Sequence, residues 1–493
     1  MKLRKYLLLL LLPIFMVFGC KKNSLDIISK NLNTYNIEIT YNDDHTLTVS
    51  QSVNYTNRSN DTLESIMFHL YPRSFREDSK SSVVSSLNYS KCYYNGPSFG
   101  DIEIHTLNVN DVESDILLTG MNEDILEVKI QDGLEPNKQT KINMTYTVTL
   151  PNINHRFGYG ENAINLGNFY PIACVYENGE FVTDSYHYNG DPFYSEVSNY
   201  NVSITANTDI VVASTGNLSN STQQESTTTH KYNAKAVRDF AIVLSDKFNM
   251  VSDTIGKTKV NYYYYNNQYP SECLQASLDS ISTFNKLFGE YPYEYLNVVE
   301  TNFVHGGMEY PGLVMISDAV DVQSDFVNVI IHEIAHQWWY GLVGNNEFEY
   351  GWLDEGLTEY STLLFYNENP QYNVDTTELI KNTTNSFVTF VDVYTKVFGN
   401  ADTTMNRALD EYNNESEYVY IAYVKGMLIF DSLREVLGHD KFIACLQHYF
   451  EENKFGISTP DKLIDAFEDV SKSDLSAFFE SWINGKVKII AIK

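Results

Sequence analysis

The sequence is poor in cysteine, and its few cysteines lie far apart. Five occur among 493 residues, and no two of them form a C-x-x-C pair. This spacing argues against both a zinc knuckle and a dense disulfide scaffold. We therefore interpret the four beyond residue 20 as buried free thiols, a common state of cysteine in a folded core. They are Cys92, Cys174, Cys273 and Cys445.

Basic residues are also scarce. Lysine and arginine together number 34 against 64 acidic residues, which gives a formal net charge of −30. A surface of this sign repels nucleic acid, favours solubility and weakly attracts cationic substrates. We therefore expect no nucleic-acid partner. The chain length of 493 residues, with 43% hydrophobic residues, predicts a folded protein of two domains.

The N-terminal apolar run is short. It covers residues 6–18, follows Lys2, Arg4 and Lys5, and ends in "VFGC" at 17–20. Thirteen residues are too few for a comfortable membrane span and are typical of a secretory signal. "VFGC" resembles a bacterial lipobox, in which the cysteine is lipidated and becomes the mature N-terminus.

We therefore predict that residues 1–19 are a lipoprotein signal peptide and that Cys20 carries the lipid. Removal of the three basic residues would change the net charge from −30 to −33. The expected location is the bacterial cell surface or another extracytoplasmic membrane face, with the membrane as a partner through the anchor. The alternative is a plain signal peptide in which Cys20 is incidental.

Three further segments follow. Residues 20–30 are predicted to be a polar tether. Residues 31–255 alternate apolar and polar positions, as in "KINMTYTVTL" at 141–150, between turn clusters such as "GNLSNST". That pattern predicts an antiparallel β domain. From residue 256 to residue 493 helical segments separate the strands, which predicts a second, mainly helical domain and an α+β protein overall.

The strongest motif lies in this second domain. His332 and His336 are four residues apart in an apolar segment that is predicted to be helical, so both rings leave one face as ligands to one zinc ion must. Glu333 projects at an adjacent angle, which suits a base acting on a zinc-bound water. The alternative is a pair of hydrogen-bonded histidines in a core helix. We expect one Zn²⁺ per chain.

A third ligand must come from another element. The segment "GWLDEGLTEY" offers Asp354, Glu355 and Glu359, and the residues alone leave the choice open. H-E-x-x-H followed after eighteen residues by the glutamate of "WLDEG" resembles the M1 family of zinc aminopeptidases, whose usual form is "WLNEG". The resemblance implies that Glu355 is the ligand. Glu359 is expected either to orient a ligand histidine or to be a surface acid, and Asp354 to be a solvated or capping residue.

A second motif bears on the direction of cleavage. "HGGMEYPG" at 305–312 resembles the M1 segment G-[AG]-M-E-N, whose strand edge pairs with the substrate and whose glutamate binds the free α-amino group. The resemblance implies that Glu309 is this acid and that Gly306, Gly307 and Met308 form the edge. Glycines there permit close approach of a second backbone. Tyr310 departs from the family's asparagine, and without a zinc site this segment would read as a strand and a turn.

A third segment, "IAYVKGMLIF" at 421–430, is similar to the family's Y-x-K-G. The resemblance implies that Tyr423 stabilises the oxyanion, and the competing phenols are Tyr412, Tyr418 and Tyr420. It also implies a saddle-like N-terminal β domain and a thermolysin-like catalytic domain. The family's second amine-binding acid, from the β domain, has no recognisable counterpart in the sequence.

The function implied is removal of N-terminal residues from peptides that carry a free N-terminus, with Glu333 as general base and Tyr423 on the oxyanion. Two alternatives remain open. One is a zinc peptidase with endopeptidase or relaxed specificity, and the other is a non-catalytic surface binding protein on an M1 scaffold.

Overall fold

The structure is a computed structural model that describes residues 24–320 and 322–493. The predicted signal peptide and Cys20 lie outside these residues. The segment expected to be a polar tether instead begins the folded part, with a helix, α1 (Ser24–Ile28), and a 3₁₀ turn (Ser29–Asn31). The tether prediction is wrong for these residues because Leu25 is buried in the core of the β domain, and Asp26 lies 2.7 Å from Lys235.

The first domain is built from strands. They are β1 (Thr34–Tyr41), β2 (Thr46–Thr56), β3 (Leu63–His69), β4 (Asp101–Val109), β5 (Val112–Glu113), β6 (Leu117–Thr119), β7 (Ile125–Leu134), β8 (Gln139–Thr149), β9 (Phe157–Tyr159), β10 (Ile164–Leu166), β11 (Ile172–Ala173), β12 (Tyr176–Glu177), β13 (Glu180–Phe181), β14 (Ser198–Asn207), β15 (Val211–Ser214), β16 (Asn217–Gln224), β17 (Thr227–Val237) and β18 (Ile242–Ser245). A 3₁₀ turn (Tyr71–Phe75) and a short helix, α2 (Tyr89–Cys92), lie between β3 and β4.

These strands form one large sheet and several small ones. The eight-stranded sheet has the order β16-β17-β14-β1-β2-β8-β4-β5, and the four-stranded sheets are β15-β18-β10-β9 and β11-β3-β7-β6. In β8, Ile142, Met144, Tyr146 and Val148 are buried, as the alternation predicts. The pairing is antiparallel except between β1 and β14, which are parallel neighbours. Sequence alternation cannot reveal that exception, because it is the same in both kinds of pairing.

The second domain mixes strands and helices. Its elements are β19 (Asn249–Ile255), β20 (Thr258–Tyr264), α3 (Pro270–Leu287), β21 (Tyr295–Thr301), β22 (Gly307–Met308), β23 (Leu313–Ser317), α4 (Gln323–Ala335), β24 (Val343–Gly344), α5 (Glu347–Glu368), α6 (Thr376–Phe398), α7 (Glu415–Tyr418), α8 (Gly426–Leu437), α9 (His439–Asn453), β25 (Gly456–Ile457), α10 (Pro460–Ser471) and α11 (Ser476–Ile483). A π-helical segment (Val419–Lys425) joins α7 to α8.

The sheet of this domain has the order β19-β20-β21-β23-β22. Because β19 pairs with β20 across a short turn, the expected boundary at residue 255 falls inside a hairpin of the second domain. By sheet membership the boundary lies between β18 and β19. The sequence gives no sign of this, since β19 is as strand-like as the strands before it.

Helix α4 packs against β22 and β23 of this sheet and against α5. Helix α5 is kinked at Tyr350, whose φ is −135°. Gly356 of α5 faces Gly426 of α8 so closely that a Cβ on Gly356 would lie 2.8 Å from the Cα of Gly426. This glycine contact lets the two helices approach, and it brings the π-helical segment next to the acid-bearing turn of α5.

The cysteines Cys92, Cys174, Cys273 and Cys445 are buried and unpaired. Within residues 24–320 and 322–493, no helix combines the length and the apolar character needed to cross a bilayer.

Candidate active site

Three side chains converge between α4 and α5. The Nε2 atoms of His332 and His336 are 3.2 Å apart, and Oε2 of Glu355 lies 3.4 Å from the first and 3.2 Å from the second. Helical spacing places the two histidines on one face of α4, and the crossing of α5 places Glu355 opposite them. All three are buried, at 9%, 1% and 3% exposure.

This triangle fits a zinc ion. Zinc–ligand distances of about 2.0–2.1 Å at the tetrahedral angle put neighbouring donor atoms roughly 3.3 Å apart. The three observed separations agree with that value, and two neutral imidazoles with one carboxylate are a common donor set for catalytic zinc. Burial opposes the ionisation of Glu355, but His336 and His332 outweigh it and lower its pKa to about 2. The carboxyl group of Glu355 is therefore ionised.

The outer nitrogens of both histidines are also held. Glu359 Oε1 lies 3.3 Å from Nδ1 of His332. Nδ1 of His336 lies 3.0 Å from the carbonyl oxygen of Trp339 and 3.1 Å from Oγ1 of Thr358. Such contacts fix the tautomer and turn Nε2 toward the metal position. The structure thus places Glu359 at a ligand histidine, which is one of its two expected positions.

Glu333 lies beside the triangle without belonging to it. Its carboxylate is 6% exposed, and Oε2 has no hydrogen-bond partner among the described residues. Burial raises the pKa of Glu333 to about 7, although His332 and His336 lower it. Gly307 explains how the acid fits, because a Cβ there would lie 2.4 Å from Oε1 of Glu333. At Gly306 a side chain would meet no such clash, since a Cβ there would lie 3.7 Å from its nearest neighbour, Val329.

Glu309 stands at the edge strand on the other side of the cavity. Strand β22, with Gly307 and Met308, pairs antiparallel with β23, so its other edge faces the site. Gln337 fixes the strand to α4 by donating to the carbonyl of Glu309 at 3.2 Å. Glu309 is 4% exposed, and its Oε1 has no partner among the described residues. Burial raises its pKa well above the usual value, so a bound cation would stabilise its ionised form.

A further acid was not found from the sequence. Asp191 comes from the loop before β14, and its carboxylate, with those of Glu309 and Glu355, forms a group whose oxygens lie within 4.8 Å of one another. Arg156 NH1 pairs with Asp191 Oδ1, and its guanidinium lies over the ring of Phe193. One aspartate in "YNGDPF" carries no periodic or motif signal. Only the fold brings it to the site.

Tyr423 belongs to the π-helical segment, and its hydroxyl donates to Oε1 of Glu355. Its ring lies parallel to that of His332, with centroids 6.0 Å apart. Among the described residues, none of the competing phenols has a hydrogen bond to Glu355, although Tyr418 also lines the cavity. Tyr420 stacks on Phe390 at 4.3 Å, Tyr412 packs against Arg407, and Tyr418 packs edge-on against Tyr423 at 5.8 Å.

Asp354 is not solvated, contrary to expectation. It is 3% exposed, and its Oδ1 accepts the backbone N–H of Glu355 at 2.7 Å. Glu347 lies beside it with both carboxylate oxygens buried. Burial raises the pKa of Asp354 to about 7, and the charge of Glu355 adds to this.

One cavity of about 430 Å³ joins these side chains. Its lining includes Asp191, Glu309, Glu333, Glu355 and Tyr423. The arrangement brings a triad suited to a metal, a neighbouring base, a phenol and two unligated acids into one space between the two domains.

The sequence and the fold of this protein resemble those of known proteins. Residues 273–482 match the model of the Peptidase family M1 domain. The fold resembles that of the M1 zinc metallopeptidase from Deinococcus radiodurans, with a TM-score of 0.66 and 14% identity over 94% of this chain and 96% of that one. A variant of that protein bound to the substrate Tyr-Ser-Ala gives a TM-score of 0.65 at 15% identity, with the same coverage.

Curated relatives are matched over shorter stretches. "Aminopeptidase N" of Lactococcus lactis subsp. lactis (strain IL1403) is 26% identical over 239 residues, which are 44% of this chain and 26% of the relative. "Leucine aminopeptidase 2" of Aspergillus fumigatus is 28% identical over 197 residues, 38% of this chain and 30% of the relative. The chain therefore spans about a quarter to a third of the length of these relatives.

The fold is the two-domain architecture of these solved structures, with a β domain followed by a mainly helical domain that bears His332, His336 and Glu355. Within it, residues 273–482 are similar to the Peptidase family M1 domain. The expected α+β fold class and the family resemblance are thus confirmed.

Proposed function

We propose that this protein is a zinc aminopeptidase that removes residues from the free N-terminus of peptides. The observation that carries the proposal is the pair Glu309 and Asp191 beside the metal triad. Their carboxylate oxygens lie within 4.8 Å of an oxygen of Glu355, and Oε1 of Glu309 is buried without a partner. An α-ammonium group offers three donors and a positive charge to such a pair.

The position of this pair sets the bond that is cut. A substrate whose ammonium lies between Glu309 and Asp191 has its first carbonyl one residue away, toward His332, His336 and Glu355. The free edge of β22 is available to pair with the substrate backbone. An internal segment of a peptide has no charge to place between two acids, so the pair selects chain ends.

His332, His336 and Glu355 would hold the zinc ion, and the triangle of their donor atoms fits it. A zinc ion in this position acts as a Lewis acid and makes water a stronger nucleophile at neutral pH. Glu333, whose carboxylate has an unpaired oxygen, takes the proton of the attacking water and delivers it to the leaving amine. Burial raises the pKa of Glu333 above its usual value, which favours acceptance of this proton.

Tyr423 supplies the hydrogen bond to the oxygen that becomes negative. Its hydroxyl touches Glu355 Oε1 in the structure, so it stands at the edge of the metal triad where the substrate carbonyl would arrive. Its raised pKa, caused by burial and by the charge of Glu355, keeps the phenol protonated and able to donate. Glu359 holds His332 in the orientation that presents Nε2 inward.

Digestion of one peptide in free and N-acetylated forms tests the proposal. Stepwise loss of N-terminal residues from the free form alone is the expected result, read by mass spectrometry. Glu309→Gln is expected to reduce kcat/KM for the free form by about tenfold to a hundredfold, the value of a charge-assisted hydrogen bond. The variant is expected to change cleavage of the acetylated form little, since that form carries no ammonium. Equal internal cleavage of both forms would instead identify an endopeptidase, and zinc binding without cleavage of either would indicate a binding protein.

We also propose that the protein is anchored to an extracytoplasmic membrane face through Cys20. The support is the basic start, the short apolar run and "VFGC" at 17–20. Metabolic labelling with a fatty-acid probe is expected to mark the wild type and not Cys20→Ser, and the variant is expected to leave the membrane fraction. One acyl chain binds weakly, so stable retention implies more than one. An unlabelled wild type would refute the anchor.

A further inference from the structure

One acid in the cavity has no role in the proposed reaction. Six carboxylates line the cavity: Asp191, Glu309, Glu333, Glu355, Glu359 and Glu415. The proposed function uses the first five for the ammonium group, proton transfer, the metal and the orientation of His332. The only lysine or arginine among the lining residues is Arg156, and it is paired with Asp191. Glu415 therefore adds a negative charge that the reaction does not need.

Glu415 is fixed in place by neutral donors. Ser85 Oγ donates to its Oε2 at 2.6 Å, and Asn88 Nδ2 lies 3.2 Å from both of its oxygens. Nδ1 of His305 is 3.5 Å from Oε1. Burial lowers the pKa of His305, with Arg156 adding to the effect, so this ring is neutral at pH 7. The side chain of Glu415 keeps 21% of its surface exposed, which leaves room for a further partner.

A second acceptor, on Asn189, belongs to the lining of the same cavity. Asn189 is 1% exposed, and its Nδ2 donates to the carbonyl oxygens of Leu409 and Tyr412 at 3.0 and 3.2 Å. These bonds fix the orientation of the amide, and Oδ1 has no hydrogen-bond partner among the described residues. A buried acceptor without a donor costs roughly 1–3 kcal/mol. A ligand that brings a donor would recover this free energy.

These groups lie where the side chain of the first substrate residue would go. Tyr418 packs against Tyr423 on one side and against Gly190 on the other, where a Cβ would be 2.8 Å from its ring. His305 directly precedes Gly306 and lies close enough to Asp191 for that charge to shift its pKa. The first α-carbon carries both the ammonium held by Asp191 and the carbonyl beside Tyr423. Its side chain therefore starts at Tyr418 and His305, with Glu415 beyond.

We propose that Asn189, His305, Glu415 and Tyr418 form a pocket for the side chain of a first residue that is lysine or arginine. We call these four residues the first-residue pocket. The proposal rests on the proposed aminopeptidase function. The aliphatic stem of such a residue packs on the ring of Tyr418, and its charged end donates to Glu415 and to Oδ1 of Asn189. An acidic first residue is repelled by Glu415, and an apolar one leaves Oδ1 of Asn189 without a donor and the charge of Glu415 without a cationic partner.

The test compares zinc-loaded wild type with Glu415→Gln on lysyl, arginyl, methionyl and glutamyl 4-nitroanilides. Methionine matches the length of the lysine stem without its charge. In the wild type, kcat/KM for lysyl and arginyl reporters is expected to exceed that for the methionyl reporter by about tenfold or more. Glu415→Gln is expected to lose most of this ratio, mainly through KM. Asp410→Asn is the matched control, because it removes an exposed acid of the nearby loop that does not line the cavity. It is expected to keep the ratio.

Competition by amides gives a readout that needs no variant. Argininamide is expected to inhibit the wild type at lower concentration than methioninamide, measured against any reporter that is cleaved. A wild type that prefers the methionyl reporter, or a Glu415→Gln variant with an unchanged ratio, overturns the first-residue pocket and leaves the aminopeptidase standing. A wild type that cleaves no aminoacyl reporter while internal peptide bonds are cut overturns the proposed function itself.

Discussion

Oη of Tyr310 donates a hydrogen bond of 2.6 Å to Oδ1 of Asn168, and this bond joins the second domain to the β domain one residue after Glu309. Asn168 in turn donates to Asp239 at 2.6 Å. The residue before it is Gly167, where a Cβ would lie 2.1 Å from Oη of Tyr310. The tyrosine therefore fills space that the glycine leaves free, and Glu309 remains at the cavity.

Tyr310→Phe is expected to lower stability and to leave amine recognition intact. The substitution leaves the buried Oδ1 of Asn168 without its donor, which costs about 1–3 kcal/mol. Thermal unfolding should show a lower Tm, while kcat/KM on free peptides stays near the wild-type value because Glu309 is untouched. Tyr269→Phe, at a residue 37% exposed, serves as the control and is expected to leave Tm unchanged. A large loss of kcat/KM in Tyr310→Phe at unchanged Tm would show that Tyr310 acts on the substrate.

How much of this site the sequence predicts depends on how local each signal is. His332, Glu333 and His336 can be predicted from the sequence because one helix turn fixes their relative positions. Glu355 and Glu309 can be predicted only by resemblance to M1 motifs. For the third metal ligand, the residues alone did not decide between Glu355, Asp354 and Glu359. Asp191 and Glu415 could not be predicted, because each reaches the cavity from a loop or helix end whose place is set by contacts between the domains.

The fold likewise has features that neighbouring residues predict and features that depend on distant parts of the chain. Alternation in β8 predicts its buried face correctly, because it depends only on neighbouring residues. The parallel pairing of β1 with β14 joins residues about 165 positions apart and leaves no local mark. The tether prediction failed for a related reason: the segment has only a few apolar residues, and the burial of Leu25 depends on a surface formed far along the chain.

Purified protein is expected to hold one zinc ion per chain. His336→Ala removes one of three donors and is expected to lose most of the metal and the activity. Metal analysis after dialysis measures the content directly. A chelator should lower the Tm of the wild type, because a ligand that binds only the folded state stabilises it, and it should not lower the Tm of the variant further. His439→Ala, which removes an exposed histidine, is the control. Full zinc content in His336→Ala would contradict the site.

Glu333→Gln is expected to keep the metal and to lose nearly all turnover. The amide has the same shape but cannot accept the proton of the attacking water, a contribution of about 10²–10⁴-fold in kcat. Steady-state kinetics with parallel metal analysis separates loss of the base from loss of zinc. Glu272→Gln, at an exposed position of α3, controls for the charge change. A kcat near that of the wild type would remove Glu333 as the base.

The β domain carries a histidine whose burial predicts acid sensitivity. His69 of β3 is 3% exposed and stacks on Tyr71 with ring centroids 4.8 Å apart. Burial lowers its pKa to about 4, and a backbone hydrogen bond at Val182 offsets only part of this. In the unfolded chain the pKa is about 6.5, so between these values the unfolded state binds more protons than the folded state. The contribution of neutral His69 to the free energy of unfolding is therefore fully present above pH 6.5 and is lost as the pH falls toward 4.

Replacing His69 with glutamine is expected to remove this part of the acid sensitivity. From the two pKa values, His69 lowers the free energy of unfolding by roughly 2 kcal/mol between pH 8 and pH 5. Urea unfolding followed by circular dichroism at both values should show a smaller fall in midpoint for His69→Gln than for the wild type, whatever the variant's stability at pH 8. His105→Gln changes an exposed histidine of β4 and is expected to fall as the wild type does. Equal falls for wild type and His69→Gln would mean that His69 accepts a proton without unfolding, and that its nitrogens reach water or an acceptor in the folded domain.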